Sequence, residues 1–495
     1  MTASSLLPLA ILLTSLGVAP LIFLLREESA RLRTALNLAA AVLKVALVAW
    51  LSWRVAEGAV YEVRLAFLPG LDLVLQADPL AVLFVALSSV LWLITTIYSV
   101  GYLERGDHRS RFFGFFSLCV AATVGVAMAG NLFTFLVFYE LLTLATYPLV
   151  VHRGTAEALR AGRIYLAYTL GGGLVLLLGT LWLWTLTGTT DFVPRGIVGD
   201  LVADHRTALT ILFVVLIGGL GVKAALVPLH AWLPIAMVAP APVSALLHAV
   251  AVVKAGAFGI MRVIYEVFGI DTAMAMGLTQ PLAALAAVTI IYGSLRVLTQ
   301  DDLKRRLAFS TVSQVSYITL GVALGSPIAA IGALAHLIHQ GLMKITMFMC
   351  AGNLAEGLGV KKVSQCAGVG RRMPGTMIAF TAAALAMIGA PPLAGFVSKW
   401  YLAAGGIGQG DLWVIALLMG SSLLNAAYFL PILHKAWFDD PAGAPATPGR
   451  PRIGWMLTAP PLATAALVLA AGLMANAPFS PLGWTRFIVA IEYID

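Results

Sequence analysis

Residues 218–234 read GGLGVKAALVPLHAWLP, and residues 386–402 read AMIGAPPLAGFVSKWYL. Both stretches lie inside long apolar runs, and both combine glycine, proline and one lysine. Pro228 takes away the helical donor for the carbonyl near Ala224, and Pro391 with Pro392 does the same near Met387 and Ile388. Each helix is therefore expected to break. Unpaired carbonyls at membrane depth are tolerated only where protein or water satisfies them, so both breaks should line hydrated cavities.

The surrounding chain explains why membrane depth is the right frame. Its 495 residues are 60% hydrophobic and 11% charged, with a mean hydropathy of +0.94, which leaves too little polar surface for a soluble protein of this size. Apolar runs able to cross about 30 Å of hydrocarbon as helices recur along the whole length, whereas alternating barrel strands do not. The expected fold class is an all-α polytopic membrane protein of fourteen spans: 3–25, 35–53, 79–103, 111–129, 131–151, 163–187, 207–229, 242–268, 272–299, 305–324, 327–352, 376–404, 411–437 and 453–474. The first span lacks a short apolar region ending in a small-residue cleavage site and reads as a retained helix. No soluble stretch is long enough to hold a cofactor.

Loop charge supports this division, because lysine and arginine accumulate on cytoplasmic connections. Arg26, Arg31 and Arg33 follow span 1; Arg105, Arg109 and Arg111 follow span 3; Arg153, Arg160 and Arg163 follow span 5. Arg296, Lys304, Arg305 and Arg306 follow span 9, Lys361, Lys362, Arg371 and Arg372 follow span 11, and Lys435, Arg450 and Arg452 follow span 13. The intervening loops carry only Arg54, Arg64, Arg195, Arg206 and Arg486. Both termini should then face outward, in a bacterial or archaeal cell membrane. The net charge of +8 is mostly a topology signal and does not point to nucleic acid.

The two broken spans are five apart. Five is odd, so a second copy of a five-helix unit would enter the membrane from the opposite side, and corresponding Gly/Pro-interrupted spans in two halves point to a transport site. The expected organisation is peripheral helices over 1–110, one five-helix repeat over 111–268, an inverted second repeat over 269–437, and a last helix and tail over 438–495, with Lys223 and Lys399 in equivalent places.

Charges in mid-span mark the pathway, since one charge at the bilayer centre costs about 2.5 to 3.5 kcal/mol on insertion scales. Glu140 sits mid-span with no cation near it in sequence, and Lys223, two spans later, is its expected partner; a static ion pair that fixes helix packing is the competing reading. His248 and Lys254 share span 8, six residues and about 120° apart on a continuous helix, and Lys254 is the stronger candidate. His336, Gln340 and Lys344 follow at four-residue steps on one stripe, with His339 beside it. Imidazole titrates near neutrality, so such a stripe can hold water and pass protons. Two histidines at i and i+3 with no carboxylate nearby make a metal site a weak reading. Lys44 in span 2 lies outside the repeats, too deep for easy snorkelling; a partner subunit or a headgroup defect is its expected neighbour.

Two further features read as packing. Cys119, Cys350 and Cys366 show neither cluster nor zinc spacing. The run GGGLVLLLG over 171–179 lies inside a span and lacks the ending of a phosphate loop, so close helix contact is its expected use.

Three motifs carry a resemblance that covers nearly the whole chain: LHAWLPIAMVAPAPVSALLHAVAVVKAG over 229–256, DDLKRRLAFSTVSQVSY over 301–317 and APPLAGFVSKW over 390–400. The chain resembles the antiporter-like subunits shared by respiratory complex I, membrane-bound hydrogenases and Mrp-type multisubunit cation/proton antiporters. The resemblance implies fourteen helices with inverted five-helix repeats and broken helices 7 and 12. It implies that Glu140 and Lys223 form the pair that modulates charge, that Lys254 is the central lysine with His248 in the same helix, that His336 and Lys344 are the helix 11 polar positions, and that Lys399 lies near the exit. His339 is one residue closer to His336 than the family's second histidine, so Gln340 takes that position. Length favours a D-type or hydrogenase-type subunit.

The expected function is a proton-translocating subunit of a multisubunit Na+/proton antiporter, without redox chemistry or a cofactor of its own. Its expected partners are other membrane subunits, protons and Na+. The alternatives are a proton-pumping module of a complex I-like oxidoreductase or hydrogenase, and the membrane half of an energy-coupled inorganic-carbon uptake complex.

Overall fold

The computed structural model describes residues 6–103, 106–440 and 453–493. Arg105, Arg450 and Arg452, counted above among the basic loop residues, lie outside the described residues. The chain begins with α1 (Leu7–Leu16) and α2 (Val18–Phe23), then α3 (Ala30–Ala56), a hairpin of β1 (Glu62–Leu68) and β2 (Leu71–Gln76), α4 (Pro79–Tyr102), α5 (Arg109–Ala127), α6 (Leu132–Val150) and α7 (Ala156–Thr187). It continues through α8 (Val202–Lys223), α9 (Trp232–Ile235), α10 (Ala241–Ala249), α11 (Val252–Arg262), α12 (Ile270–Ala275), α13 (Thr279–Leu298), α14 (Leu303–Ala323) and α15 (Pro327–Leu358). The last elements are α16 (Val369–Arg372), α17 (Pro374–Ile388), α18 (Ala394–Gly408), α19 (Trp413–Trp437), α20 (Trp455–Leu473) and α21 (Pro481–Tyr493).

Among the described residues, eleven helical stretches are long and apolar enough to cross a membrane, and the protein is a polytopic helical membrane protein. Side chains cap the helix starts: Asn131 accepts from the Thr134 amide at 2.7 Å, Thr155 from Ala158 at 3.1 Å and Asp302 from Arg305 at 2.8 Å. Gly188, Gly359 and Gly389 end helices in the left-handed conformation.

Several boundaries differ from the sequence expectation. Pro20 has no N–H for the Leu16 carbonyl, and the first span is divided into α1 and α2. Span 8 is divided at Val250 and Ala251, which have non-helical backbone angles although neither is glycine or proline. The all-α expectation missed the antiparallel hairpin, which pairs Val63 with Leu75 and Arg64 with Val74 around Pro69 and Gly70. Its signal was the polar–apolar alternation of Glu62, Val63, Arg64 and Leu65 ahead of the turn dipeptide Pro69–Gly70. Helix α21 was missed as well.

Loop contacts sort by end of the bundle. At one end Glu27 accepts from the Arg109 amide at 2.8 Å, Arg111 donates to the His152 carbonyl at 3.1 Å, Asp302 bridges Lys362, and the Gly368 amide donates to the Lys435 carbonyl at 3.0 Å. At the other, Arg64 pairs with Asp191 at 3.0 Å, Arg206 donates to the Met276 carbonyl at 3.4 Å, and Gln409 donates to the Gly325 carbonyl at 3.4 Å. Basic connections therefore meet basic connections.

The interior is built on α14 and α15. Every residue of α14 from Arg306 to Ala323 is buried, although seven of them are Ser310, Thr311, Ser313, Gln314, Ser316, Tyr317 and Thr319. A helix with that many polar side chains and no exposed face is held by protein on all sides, and its polar groups need internal partners.

Candidate functional site

The eight candidates Glu140, Lys223, Lys254, Lys344, Lys399, His248, His336 and Gln340 sit on α6, α8, α10, α11, α15 and α18. Seven are buried, and Glu140 keeps 27% of its side chain exposed.

Lys223 is the last residue of α8, where the chain leaves the helix ahead of Pro228. Its Nζ donates to the Tyr139 carbonyl, lies 3.3 Å from the centroid of the Tyr139 ring, and stands 3.8 Å from Glu140 Oε1. That separation is an ion pair without a hydrogen bond, and Oε1 has no other protein partner. At this end of α8 the Val222 carbonyl accepts from Trp232 Nε1 at 2.7 Å and from the Ala225 amide at 3.1 Å.

The glycine run of α7 makes room for this pair. A Cβ on Gly173 would lie 2.1 Å from Glu140 Oε1, one on Gly172 would lie 2.8 Å from Val222, and one on Gly179 would meet Leu216. Close contact between α7 and α8 is thus one use of the run, and space for a carboxylate is the other. Gly173→Ala is expected to push Glu140 away from Lys223 and lower transport with little change in assembly; transport at the unaltered level in reconstituted vesicles would remove Gly173 from the site.

Lys254 of α11 donates to Gln340 Oε1 on α15, and Gln340 Nε2 has no protein partner. Two residues on, a Cβ on Gly256 would be 2.1 Å from the Ala224 amide, so α11 crosses hard against the end of α8. His248 faces Met237, with Nε2 3.3 Å from Sδ, and stacks on Phe348 at 4.4 Å. The angular argument from a continuous span 8 fails because the helix is interrupted between the two residues. His248 nonetheless lies within electrostatic reach of both Lys254 and Lys344.

The three residues of the α15 stripe reach three different helices. His336 Nδ1 is 2.9 Å from Ser398 Oγ on α18 and its ring stacks 5.1 Å from that of Tyr317. Gln340 meets Lys254, and Lys344 Nζ donates to Ser310 Oγ and to the Leu307 carbonyl at 3.1 Å on α14. His339 lies against the backbone of Ala394 at the start of α18.

At the second break α17 ends at Ile388 and α18 resumes at Ala394, across Pro391 and Pro392. Lys399 Nζ donates to the Met387 and Ile388 carbonyls at 3.0 Å each and to Ser422 Oγ at 2.9 Å, and Asn425 adds a bond to Met387 at 3.0 Å. At this break protein groups satisfy the freed carbonyls. Lys223 precedes its break and Lys399 follows its own, so the expected equivalence of the two lysines does not hold locally.

Lys44 turns inward, contrary to expectation. Its Nζ donates to Ser15 Oγ at 2.5 Å and lies 4.7 Å from the Trp92 ring, while neighbouring Val42 and Leu43 are exposed. Cation and ring make a packing contact between α1, α3 and α4. Lys44→Met is expected to keep both transport and assembly and to melt no lower in detergent, since a buried charge without a counterion is replaced by an apolar chain of similar length. Loss of transport at normal assembly would place Lys44 on the route.

Sequence reasoning missed the cluster in which Arg262 pairs with Asp78 at 2.7 Å and with Glu266. The i, i+4 spacing of Arg262 and Glu266 was the available signal. It also missed Gln314, buried on α14 within reach of the Tyr317 hydroxyl, and the bond from Tyr317 to Ser421 at 2.6 Å.

The arrangement is a set of buried lysines, each held by neutral oxygens, with one carboxylate, Glu140, beside Lys223. Comparison with known proteins gives the class. Residues 129–425 match the family described as NADH:quinone oxidoreductase/Mrp antiporter, transmembrane, and the chain belongs to that family. NADH-quinone oxidoreductase subunit N of Desulforudis audaxviator is 38% identical over 372 residues, 74% of this chain and 73% of that protein. The D-type Na(+)/H(+) antiporter protein of Bacillus subtilis is 32% identical over 371 residues, 74% of each. The structure of the Mrp complex from Dietzia sp. contains a chain with the same fold, at a TM-score of 0.86 and 24% identity, covering 100% of this chain and 98% of that one.

Proposed function

We propose that this protein is the proton-translocating subunit of a multisubunit Na+/proton antiporter, moving protons along Glu140, Lys223, Lys254, Lys344 and Lys399 with His248, His336 and Gln340 between them. The observation that carries the reading is the set of buried polar atoms along this line that, among the described residues, make no well-aligned hydrogen bond to protein: Glu140 Oε1, His248 Nδ1, His336 Nε2 and Gln340 Nε2. Such atoms are the ones that ordered water satisfies, and water between titratable groups is what proton exchange needs.

Charge would pass by re-pairing. When Lys223 leaves Glu140 the field at the next lysine changes, and the groups act as a coupled set. His336 lies within electrostatic reach of Lys254 and Lys399, which supports continuity from the centre to the second break. The halves 111–268 and 269–437 as inverted repeats, outward-facing termini, and assembly with other membrane subunits belong to the same proposal.

A redox-driven assembly is the second reading, favoured by the 38% identity to a subunit of an NADH-quinone oxidoreductase. Dye-reported proton movement in inverted vesicles holding the complete complex separates the two. Exchange triggered by Na+ without an electron donor supports the antiporter; exchange that waits for a donor supports the redox-driven pump and rejects the first reading.

A further inference from the structure

The basic end of the bundle holds a cavity of ≈ 540 Å³ between α7, the segment after the first break and the start of α14. Arg153, Arg160, Lys304, Arg305 and Lys361 line it against two carboxylates, Glu157 and Asp302. Lys304 is engaged, donating to the Ala239 carbonyl at 2.5 Å and to Ser244 Oγ at 3.4 Å, and Asp302 caps α14 through the Arg305 amide. Among the described residues, the side chains of Arg153, Arg160, Arg305 and Lys361 make no hydrogen bond or ion pair. Four free cations around one concavity call for an anion, and guanidinium groups match phosphate oxygens in pairs.

The same face of α7 runs on into a second cavity of ≈ 480 Å³, lined by Ala167, Tyr168, Gly171 and Gly172 together with Val222 of α8 and Leu229 of the break segment. Arg160, Ile164, Tyr168, Gly171 and Val175 succeed one another at three- and four-residue steps and so share a face. A side chain at Gly171 would meet nothing within 4 Å. From Ala167 to Val175 the helix rises about 12 Å, most of the roughly 15 Å of hydrocarbon in one leaflet. Along this face of α7 a cationic cup is followed by an open apolar groove, in the seam between α7 and the broken helix.

We propose that this seam holds an anionic phospholipid, its phosphate among Arg153, Arg160, Arg305 and Lys361 and one acyl chain along Ala167, Gly171 and Gly172. Basic pockets between membrane helices on the cytoplasmic side are suited to anionic headgroups. A free phosphate would fill the cup but leave the groove without a role. The groove borders Val222 and Gly172, each one residue from a group that touches the Glu140–Lys223 pair, so the seated chain shields the flank of that pair from the bilayer.

The test is lipid retention by the purified complete complex, exchanged into vesicles of phosphatidylcholine and phosphatidylglycerol and read by native mass spectrometry. The wild type is expected to retain phosphatidylglycerol selectively. Arg160→Gln with Arg305→Gln should lower that retention about thirtyfold, and Gly171→Leu, which fills the groove and leaves the cup intact, should lower it independently. All three positions are exposed, and elution as an intact complex on size exclusion verifies folding. No anionic lipid on the wild type, or equal retention by every variant, overturns the proposal. So does displacement by inorganic phosphate with no effect of Gly171→Leu, which would make the cup a free-anion site. Loss of a neighbouring subunit from the variants at unchanged lipid count would assign the seam to that subunit instead.

Discussion

Lys254→Ala is expected to abolish Na+-triggered proton exchange in inverted vesicles while the complex assembles at its normal level. Lys254 is fully buried, its Nζ meets only the side-chain oxygen of Gln340, and no carboxylate pairs with it among the described residues. A static role would leave that charge uncompensated for no gain, whereas a group that accepts and releases a proton is charged only part of the time. Removing a group that transfers protons costs roughly a hundredfold or more. The truncation leaves a cavity between α11 and α15, so Lys254→Met serves as the better-packed control. Normal exchange by both variants would falsify the proposed axis.

Glu140→Gln should have an effect of similar size by a different route. The change keeps the shape of the side chain and removes the charge 3.8 Å from Lys223, where two unit charges in an effective dielectric of about 20 attract by about 4 kcal/mol. Lys223 retains the Tyr139 carbonyl and ring, so the end of α8 stays in place and insertion should be unaffected. Exchange is lost because nothing competes for Lys223 any longer. If the variant instead fails to insert, the pair is a packing element and the mechanism loses its switch.

A helical, membrane-spanning chain and the two proline breaks could be read from hydropathy and from Pro228, Pro391 and Pro392, because those signals are local; of the fourteen spans expected, eleven helical stretches are long and apolar enough to cross among the described residues. That the lysines lie within apolar helical runs was legible for the same reason. Partners were not. Lys254 finds Gln340 across 86 residues and Lys344 finds Ser310 across 34, and such pairs depend on how helices pack. The interruption at Val250 and Ala251 has no glycine or proline to announce it and is imposed by the surroundings of a fully buried segment. Lys44 was misread since hydropathy does not tell a lipid face from a protein face; only packing places Val42 and Leu43 outside and the lysine between α1 and α4. The hairpin was hidden by its short length between two strong helical signals.

The bonds at Lys399 tie hydrogen count to backbone shape. An ammonium group carries three hydrogens, and this one has three acceptors: the Met387 carbonyl, the Ile388 carbonyl and Ser422 Oγ. A neutral amine has two. Under the proposed relay, loss of a proton from Lys399 would keep both carbonyl bonds and reverse the third, the Ser422 hydroxyl turning to donate to the freed lone pair, so passage of charge and rotation of one hydroxyl between α18 and α19 would become a single event.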